Sequence, residues 1–293
     1  MSARAPDRAV WIDGRILRGP EAMVSVFDRG ARDGEGLLET LRAYGGVPFL
    51  WSRHLERLAL SAAELGFPVP PAPARLLEAM RSLLEGEGLT DAAIRITVTR
   101  GIPGGRPTRA SGWVEVEPIA SRLWAGTRAG GARVIVSRRP FAPGPLGRHK
   151  STSRLAYHLA REEARARRAD EALLATADGR VLEGAASSVF AVRRGVVLTP
   201  PLTSGILPGI TRAFVLESCA GLGIPVEERE LDAAALGEAE EAFLTNSLQE
   251  IVPVAVLEGR ELGPPRVAPR LMAAYREAVS ATLDARGDPL SHR

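Results

Sequence analysis

Residues 93–101, AIRITVTRG, alternate apolar and polar side chains, with Ile94, Ile96 and Val98 on one face. A period of two marks a strand. Upstream, SRHLERLALSAAELGF (52–67) keeps a different period. There Leu55, Leu58, Ala59, Ala62 and Leu65 form a helical stripe, and Ser52 is placed to cap it. A chain that satisfies both periods so close together has to pack helices on a sheet. The neighbouring segments agree. AVWIDGRIL (9–17) reads as a strand and turn, VSVFDRGARDGEGLLETLRAYGGVPFLW (24–51) as glycine-broken apolar runs with a second strand, and GWVEVEP (112–118) as a further strand. PVPPAPA (68–74) ends one helix and leads into another, ARLLEAMRSLLEGEG. The first half is therefore α+β.

PIASRLWAGTRAGG (118–131) has the composition of a linker. The expected organisation is an N-terminal domain over 1–120, a linker over 121–130 and a C-terminal domain over 131–293. In the second half, ARVIVS opens a strand, and a helix follows Lys150, capped by a residue of Ser151–Ser153. EALLAT, SSVFAV and VVLTP, joined by DG and RRG turns, read as a β-meander. TRAFVLESCAGLG (211–223) is a helix closed by glycine, EAFLTN (241–246) a strand, and a last helix lies near 269–284.

No apolar run approaches the roughly 18 residues of a membrane span. The first residues, MSARAPDRAVWIDG, lack a signal-peptide core. The single cysteine, Cys219, allows no internal disulfide, so a cytoplasmic setting is expected. The four histidines lie far apart and no Cys/His cluster resembles a metal site. The pI near 9.6 invites a nucleic-acid-binding reading. It is discounted, because the net charge is only +3 and the arginines are interspersed among acids, as in REEARARRADE (161–171).

Of 38 lysines and arginines, only Lys150 is lysine. Arginine matches lysine as a surface cation and often exceeds it as an anion clamp. It cannot supply a nucleophilic amine, because its guanidinium does not deprotonate at useful pH. A lone lysine in an arginine-drifted chain therefore points to amine chemistry, with Schiff-base formation the leading candidate. Chance survival and a site too tight for guanidinium are the rival explanations.

Pyridoxal phosphate would need a phosphate cradle and an acid facing its ring nitrogen. SGILPGITRAFVLE (204–217) runs from a glycine-containing loop into a helix, where the amides of Ile210 and Thr211 could meet an anion. A plain Thr-capped helix would look the same. Glu183, in GRVLEGAASSVF, could meet the ring nitrogen or could be a surface turn residue.

Taken in order, VSVFDRGARDGEGLLETLR, HLERL, HKSTSRLAYHLA, ADGRVLEGAASSVF, SGILPGITR and FLTNSLQEIVPV resemble the blocks of the fold-type IV pyridoxal-phosphate enzymes. That group holds branched-chain and D-amino-acid aminotransferases and 4-amino-4-deoxychorismate lyases. The resemblance implies an N-terminal α+β domain, a C-terminal α/β domain with a barrel-like sheet, and a homodimer. It implies that Lys150 is the Schiff-base lysine and proton carrier and that Glu183 pairs with the ring nitrogen. Arg57, Ile210, Thr211 and Ser247 would hold the phosphate.

Within the group, three details resemble the lyases: the Thr-Asn-Ser triplet at 245–247, Leu155 five residues after the lysine, and Thr40, a residue that resemblance makes an aid to proton transfer. The expected activity is release of pyruvate from 4-amino-4-deoxychorismate to give 4-aminobenzoate. The alternative is an aminotransferase for branched-chain or D-amino acids or amines. Arg106 and Arg109, in RGIPGGRPTRASGW (100–113), could bind a substrate carboxylate or could face solvent.

Overall fold

The computed structural model describes residues 7–104 and 111–285. The chain divides into two compact units, one drawn from 1–122, 149–153 and 281–293, the other from 123–148 and 154–280.

The first unit opens with a hairpin of β1 (Ala9–Ile12) and β2 (Arg15–Arg18), then a short helix α1 (Arg29–Asp33) capped by Asp28. β3 (Gly36–Tyr44), β4 (Val47–Pro48), α2 (Trp51–Glu64), α3 (Pro73–Gly86), β5 (Ala92–Thr99) and β6 (Gly112–Pro118) follow. The six strands form one antiparallel sheet in the order β2-β1-β6-β5-β3-β4. Leu58, Met80 and Leu83 of the helices share a core with Leu41, Ile94 and Ile96 of the sheet. Each such side chain, fully buried, contributes about 1.5–3 kcal/mol.

Helix α2 departs from the expected stripe. Ala59 is exposed, and the buried face carries Trp51, His54, Leu55, Arg57, Leu58, Ser61 and Ala62. Three of those seven residues are polar, which a search for apolar periodicity cannot see. Ser52 is not the cap either. The chain turns at Leu50, whose φ of 53° is left-handed, and helical geometry begins at Trp51, which is 1% exposed.

Residues 149–153 belong to this first unit. Leu38 N–H donates to the Lys150 carbonyl at 2.8 Å, and Thr152 N–H donates to the Gly36 carbonyl at 2.8 Å. The two backbones run so close that a Cβ on Gly36 would stand 2.7 Å from Thr152 Oγ1. This pairing explains a second correction. Thr152 and Ser153 do not cap the helix that follows Lys150; their hydroxyls donate to the Gly34 carbonyl, each at 3.0 Å.

The second unit begins with α4 (Ala125–Arg128), within the stretch read as a linker, and β7 (Ala132–Val136). α5 (Leu155–Ala166) follows, with Arg154 at its N-cap position and no side-chain cap. Next come β8 (Glu171–Ala175), β9 (Val181–Gly184), β10 (Ser188–Arg193), β11 (Val196–Thr199), α6 (Ile210–Leu222), β12 (Val226–Glu228) and α7 (Ala233–Gly237). β13 (Glu241–Asn246), β14 (Glu250–Leu257), β15 (Arg260–Glu261) and, as far as Ser280, α8 (Ala268–Asp284) complete it. The strand order is β12-β11-β10-β13-β14-β7-β8-β9, with β15 beside β14.

The expected meander is two separate hairpins, β8–β9 and β10–β11. The second turns through Arg194 and Gly195, both at positive φ (50° and 76°), as a tight two-residue hairpin requires. Only residues 185–187 join β9 to β10, yet four strands lie between them in the sheet. A link that short reaches roughly 14 Å, whereas five strand spacings laid flat would need about 24 Å. The sheet must therefore curl on itself, and its barrel-like curvature follows from the topology. Among the described residues, no helix is long and apolar enough to cross a membrane, and no group of His, Cys, Asp or Glu could hold a metal ion.

Candidate active site

In the first unit the candidate residues gather around β3 and α2. Arg57, which could have been an exposed helix arginine, is 9% exposed. Its Nε donates to Glu39 Oε1 at 2.8 Å and its Nη2 to Glu39 Oε2 at 2.6 Å, a bidentate pair. His54 Nδ1 lies 2.7 Å from Glu39 Oε2. Burial by itself would raise the Glu39 carboxyl, but the Arg57 charge and the hydrogen bonds from His54 and Arg57 outweigh it and hold it at about 2. Burial pushes His54 down, and the Arg57 and Lys150 charges add to that, against the pull of Glu39. A neutral ring with Nδ1–H donating to the carboxylate satisfies both groups.

Lys150 is half-buried and follows His149, which is buried. His149 Nδ1 lies 3.1 Å from Ser61 Oγ, and its Nε2 lies 3.6 Å from Glu64 Oε2. His54, Arg57, Ser61 and Glu64 recur at helical spacing, so one face of α2 meets both Glu39 and the segment carrying Lys150. Thr40 sits on β3 opposite Arg95 and is half-buried. As the neighbour of Glu39 on a strand it faces the other side of the sheet, away from the Arg57 pair.

In the second unit Glu183 is not a surface turn residue. It lies in β9 and is 4% exposed. Tyr157 Oη donates to its Oε1 at 3.3 Å, and Leu207 N–H donates to its Oε2 at 3.4 Å. Burial, reinforced by the Glu183 carboxylate, pushes the Tyr157 hydroxyl well above its ordinary range, with Arg154 opposing. The phenol therefore stays a donor. The Arg154 guanidinium stacks over the Tyr157 ring at 3.9 Å from its centroid.

The loop after Glu183 is fastened from two sides. Glu171 Oε2 accepts from Ala186 N–H and Ser187 Oγ, both at 2.9 Å. Asn246 Nδ2 donates to the Ala186 carbonyl at 2.9 Å, while its Oδ1 accepts from the amides of Leu248 and Gln249 at 2.9 and 2.8 Å. Asn246 therefore shapes the turn that carries Ser247, and its place in the Thr-Asn-Ser triplet has a structural cause.

At the start of α6 the Thr-capped alternative is not realised. Gly209 is the N-cap, no side chain caps the helix, and Thr211 is the second helical residue, 2% exposed. The amides of Ile210 and Thr211 have no acceptor within the helix. A Cβ on Gly209 would stand 2.7 Å from Ser188 Oγ. Across from Ser188 on β13 is Thr245, whose Oγ1 is buried with no hydrogen-bond partner among the described residues. Arg106 and Arg109 lie outside the described residues.

Sequence reading passed over Glu39, His54, Tyr157, Glu171 and Asn246 as site residues. A signal existed for one pair. His54 and Arg57 stand three apart on the same helix face as Leu55 and Leu58, a polar pair where an apolar one is expected.

The curled nine-stranded sheet of one unit and the antiparallel six-stranded sheet of the other define a fold-type IV enzyme. Residues 36–257 match the family described as Amino-transferase class IV, and the chain belongs to that family. It is 32% identical over 272 residues to the branched-chain-amino-acid aminotransferase of Salmonella typhimurium, covering 89% of this chain and 88% of that one. It is 29% identical over 292 residues to the aminodeoxychorismate lyase of Bacillus subtilis, covering 95% and 97%. Among solved structures it is similar to a hypothetical aminotransferase from Mycobacterium tuberculosis in PLP-bound form, with TM-score 0.83, 27% identity and 93% and 99% coverage.

Proposed function

We propose that this chain is a pyridoxal-phosphate-dependent aminotransferase for small amino acids of the branched-chain type. The observation that carries the proposal is Lys150, the one lysine, in a segment held by backbone hydrogen bonds to β3. The cofactor is pyridoxal 5'-phosphate, and the donor chemistry fits it. An uncapped helix start and the orphaned Thr245 hydroxyl suit an anionic phosphate, and a buried carboxylate suits a protonated ring nitrogen.

In this reading Lys150 supplies the amine that would hold the cofactor, and Lys150 Nζ would carry the proton from the substrate α-carbon to the cofactor, and back in the reverse half of the exchange. Arg57, the amides of Ile210 and Thr211, and the Ser247 hydroxyl hold the phosphate. Glu183 keeps the ring nitrogen protonated, with Tyr157 and the Leu207 amide fixing its carboxylate. Thr40 assists proton transfer. The bound cofactor supplies an electron sink for charge left on the carbon beside the amine. The protein acts as a cytoplasmic homodimer.

A second reading, the aminodeoxychorismate lyase, is supported by the near full-length similarity to the Bacillus subtilis enzyme. It loses the argument from the Thr-Asn-Ser triplet, because Asn246 is accounted for by the turn it builds. The test is to mix holoenzyme with single amino donors (leucine, glutamate, D-alanine) and, separately, with aminodeoxychorismate. Conversion of the cofactor to its amine form by leucine, with no 4-aminobenzoate released, is the expected result. Release of 4-aminobenzoate without such conversion would make the lyase the function.

A further inference from the structure

The face of α2 that meets β3 carries more charge than a structural helix needs. A buried guanidinium is costly unless its hydrogen bonds and its charge are both answered. Here Glu39, 1% exposed, answers them along one edge of the planar fork, through Nε and Nη2. That leaves Nη1 directed away from Glu39 by the covalent geometry of the group. Glu39 itself is fixed by His54, also 1% exposed, through Nδ1. The buried carboxylate of Glu39 thus fixes the Nε–Nη2 edge of Arg57.

We infer that Glu39, braced by His54, is a positioning residue that aims Arg57 at the cofactor phosphate. The inference rests on the proposed role of Arg57 as a phosphate ligand. Glu39 itself touches no phosphate in this account, since two anions would repel. Its effect reaches the cofactor only through the orientation of Arg57. An aimed arginine favours the phosphorylated cofactor over the same ring without its phosphate, and a loosely held arginine loses that preference.

The experiment strips the full-length chain of cofactor and titrates it with pyridoxal phosphate and, separately, with pyridoxal, following the absorbance of the bound form. The quantity read is the ratio of the two affinities. Glu39→Gln lowers that ratio about tenfold, the size expected for a charge-assisted hydrogen bond. Pyridoxal affinity itself changes less than about twofold. Arg57→Ala lowers the ratio by at least as much, and adding Glu39→Gln to Arg57→Ala produces no further loss. Because Glu39→Gln takes the counter-charge from a buried guanidinium, His54→Leu and His54→Asn are measured beside it, with thermal melts for each. His54→Leu lowers the ratio, and His54→Asn, which keeps a side-chain donor, restores it.

Equal losses for pyridoxal and pyridoxal phosphate in Glu39→Gln would overturn the inference and leave Glu39 a fold-stabilising residue. A normal ratio in Glu39→Gln and His54→Leu, with a lowered ratio in Arg57→Ala, would also overturn it while sparing Arg57 as the phosphate ligand. A normal ratio in Arg57→Ala would overturn that underlying reading and the inference with it.

Discussion

The two units bury their candidate residues by different physics. The first unit uses full charges: the Arg57 guanidinium meets the Glu39 carboxylate bidentately, and His54 braces it. The second unit surrounds Glu183 with a phenol and a backbone amide, and leaves amides at the start of α6. Paired buried charges set direction strongly but are fragile, since removing either partner strands the other. Hydroxyls and amides hold more weakly and individually matter less. The contrast predicts that single substitutions hurt most in the first unit.

The largest expected effect is chemical. Lys150→Arg keeps the charge and removes the usable amine, and should cut turnover by at least about a thousandfold, as loss of a covalent catalytic group does. Steady-state rates with leucine as donor would show it, and a near-normal rate would remove the reason for the lone lysine.

Next comes acid stability. The Glu39 carboxyl drops from an ordinary 4.5 to about 2 in the folded protein. A depressed carboxyl stabilises above its unfolded value and loses that contribution as pH falls through its folded value. The gap corresponds to about 3 kcal/mol, present above about pH 4.5 and gone near pH 2. Urea unfolding across that range should show the difference between wild type and Glu39→Gln shrinking with acid. A difference independent of pH would contradict the charged pair.

Asn246→Ala tests the second unit. It removes the bonds to Ala186, Leu248 and Gln249, and should cost about 1–3 kcal/mol in urea unfolding. A neutral result would separate the Ser247 turn from the Glu183 loop.

The smallest effect sharpens the account of α2. Ala59→Gln, on the exposed face, should change stability by less than about 0.5 kcal/mol, while Ala62→Gln, 2% exposed, should cost about 1–3 kcal/mol. Equal costs would mean that the helix buries a different face.

This also marks what the sequence made legible. Strand β5 announced itself because Ile94, Ile96 and Val98 alternate and are all fully buried. Helix α6 ended where Gly223 could take a left-handed φ of 65°. The polar face of α2 was legible only in the spacing of His54 and Arg57, because the Glu39 carboxylate they meet lies on another element. The two hairpins looked like one meander because strand pairing is a long-range property. Nothing in residues 181–193 says that β10 will take β13 as its neighbour. Lys150 stood out in the sequence as the one lysine, and its attachment to β3 did not.

The most direct test of the central claim is to treat the holoenzyme with borohydride and locate the cofactor adduct by peptide mass. The account predicts a single phosphopyridoxyl adduct on Lys150, absent from Lys150→Arg. An adduct elsewhere, or none on a yellow and active protein, would contradict it.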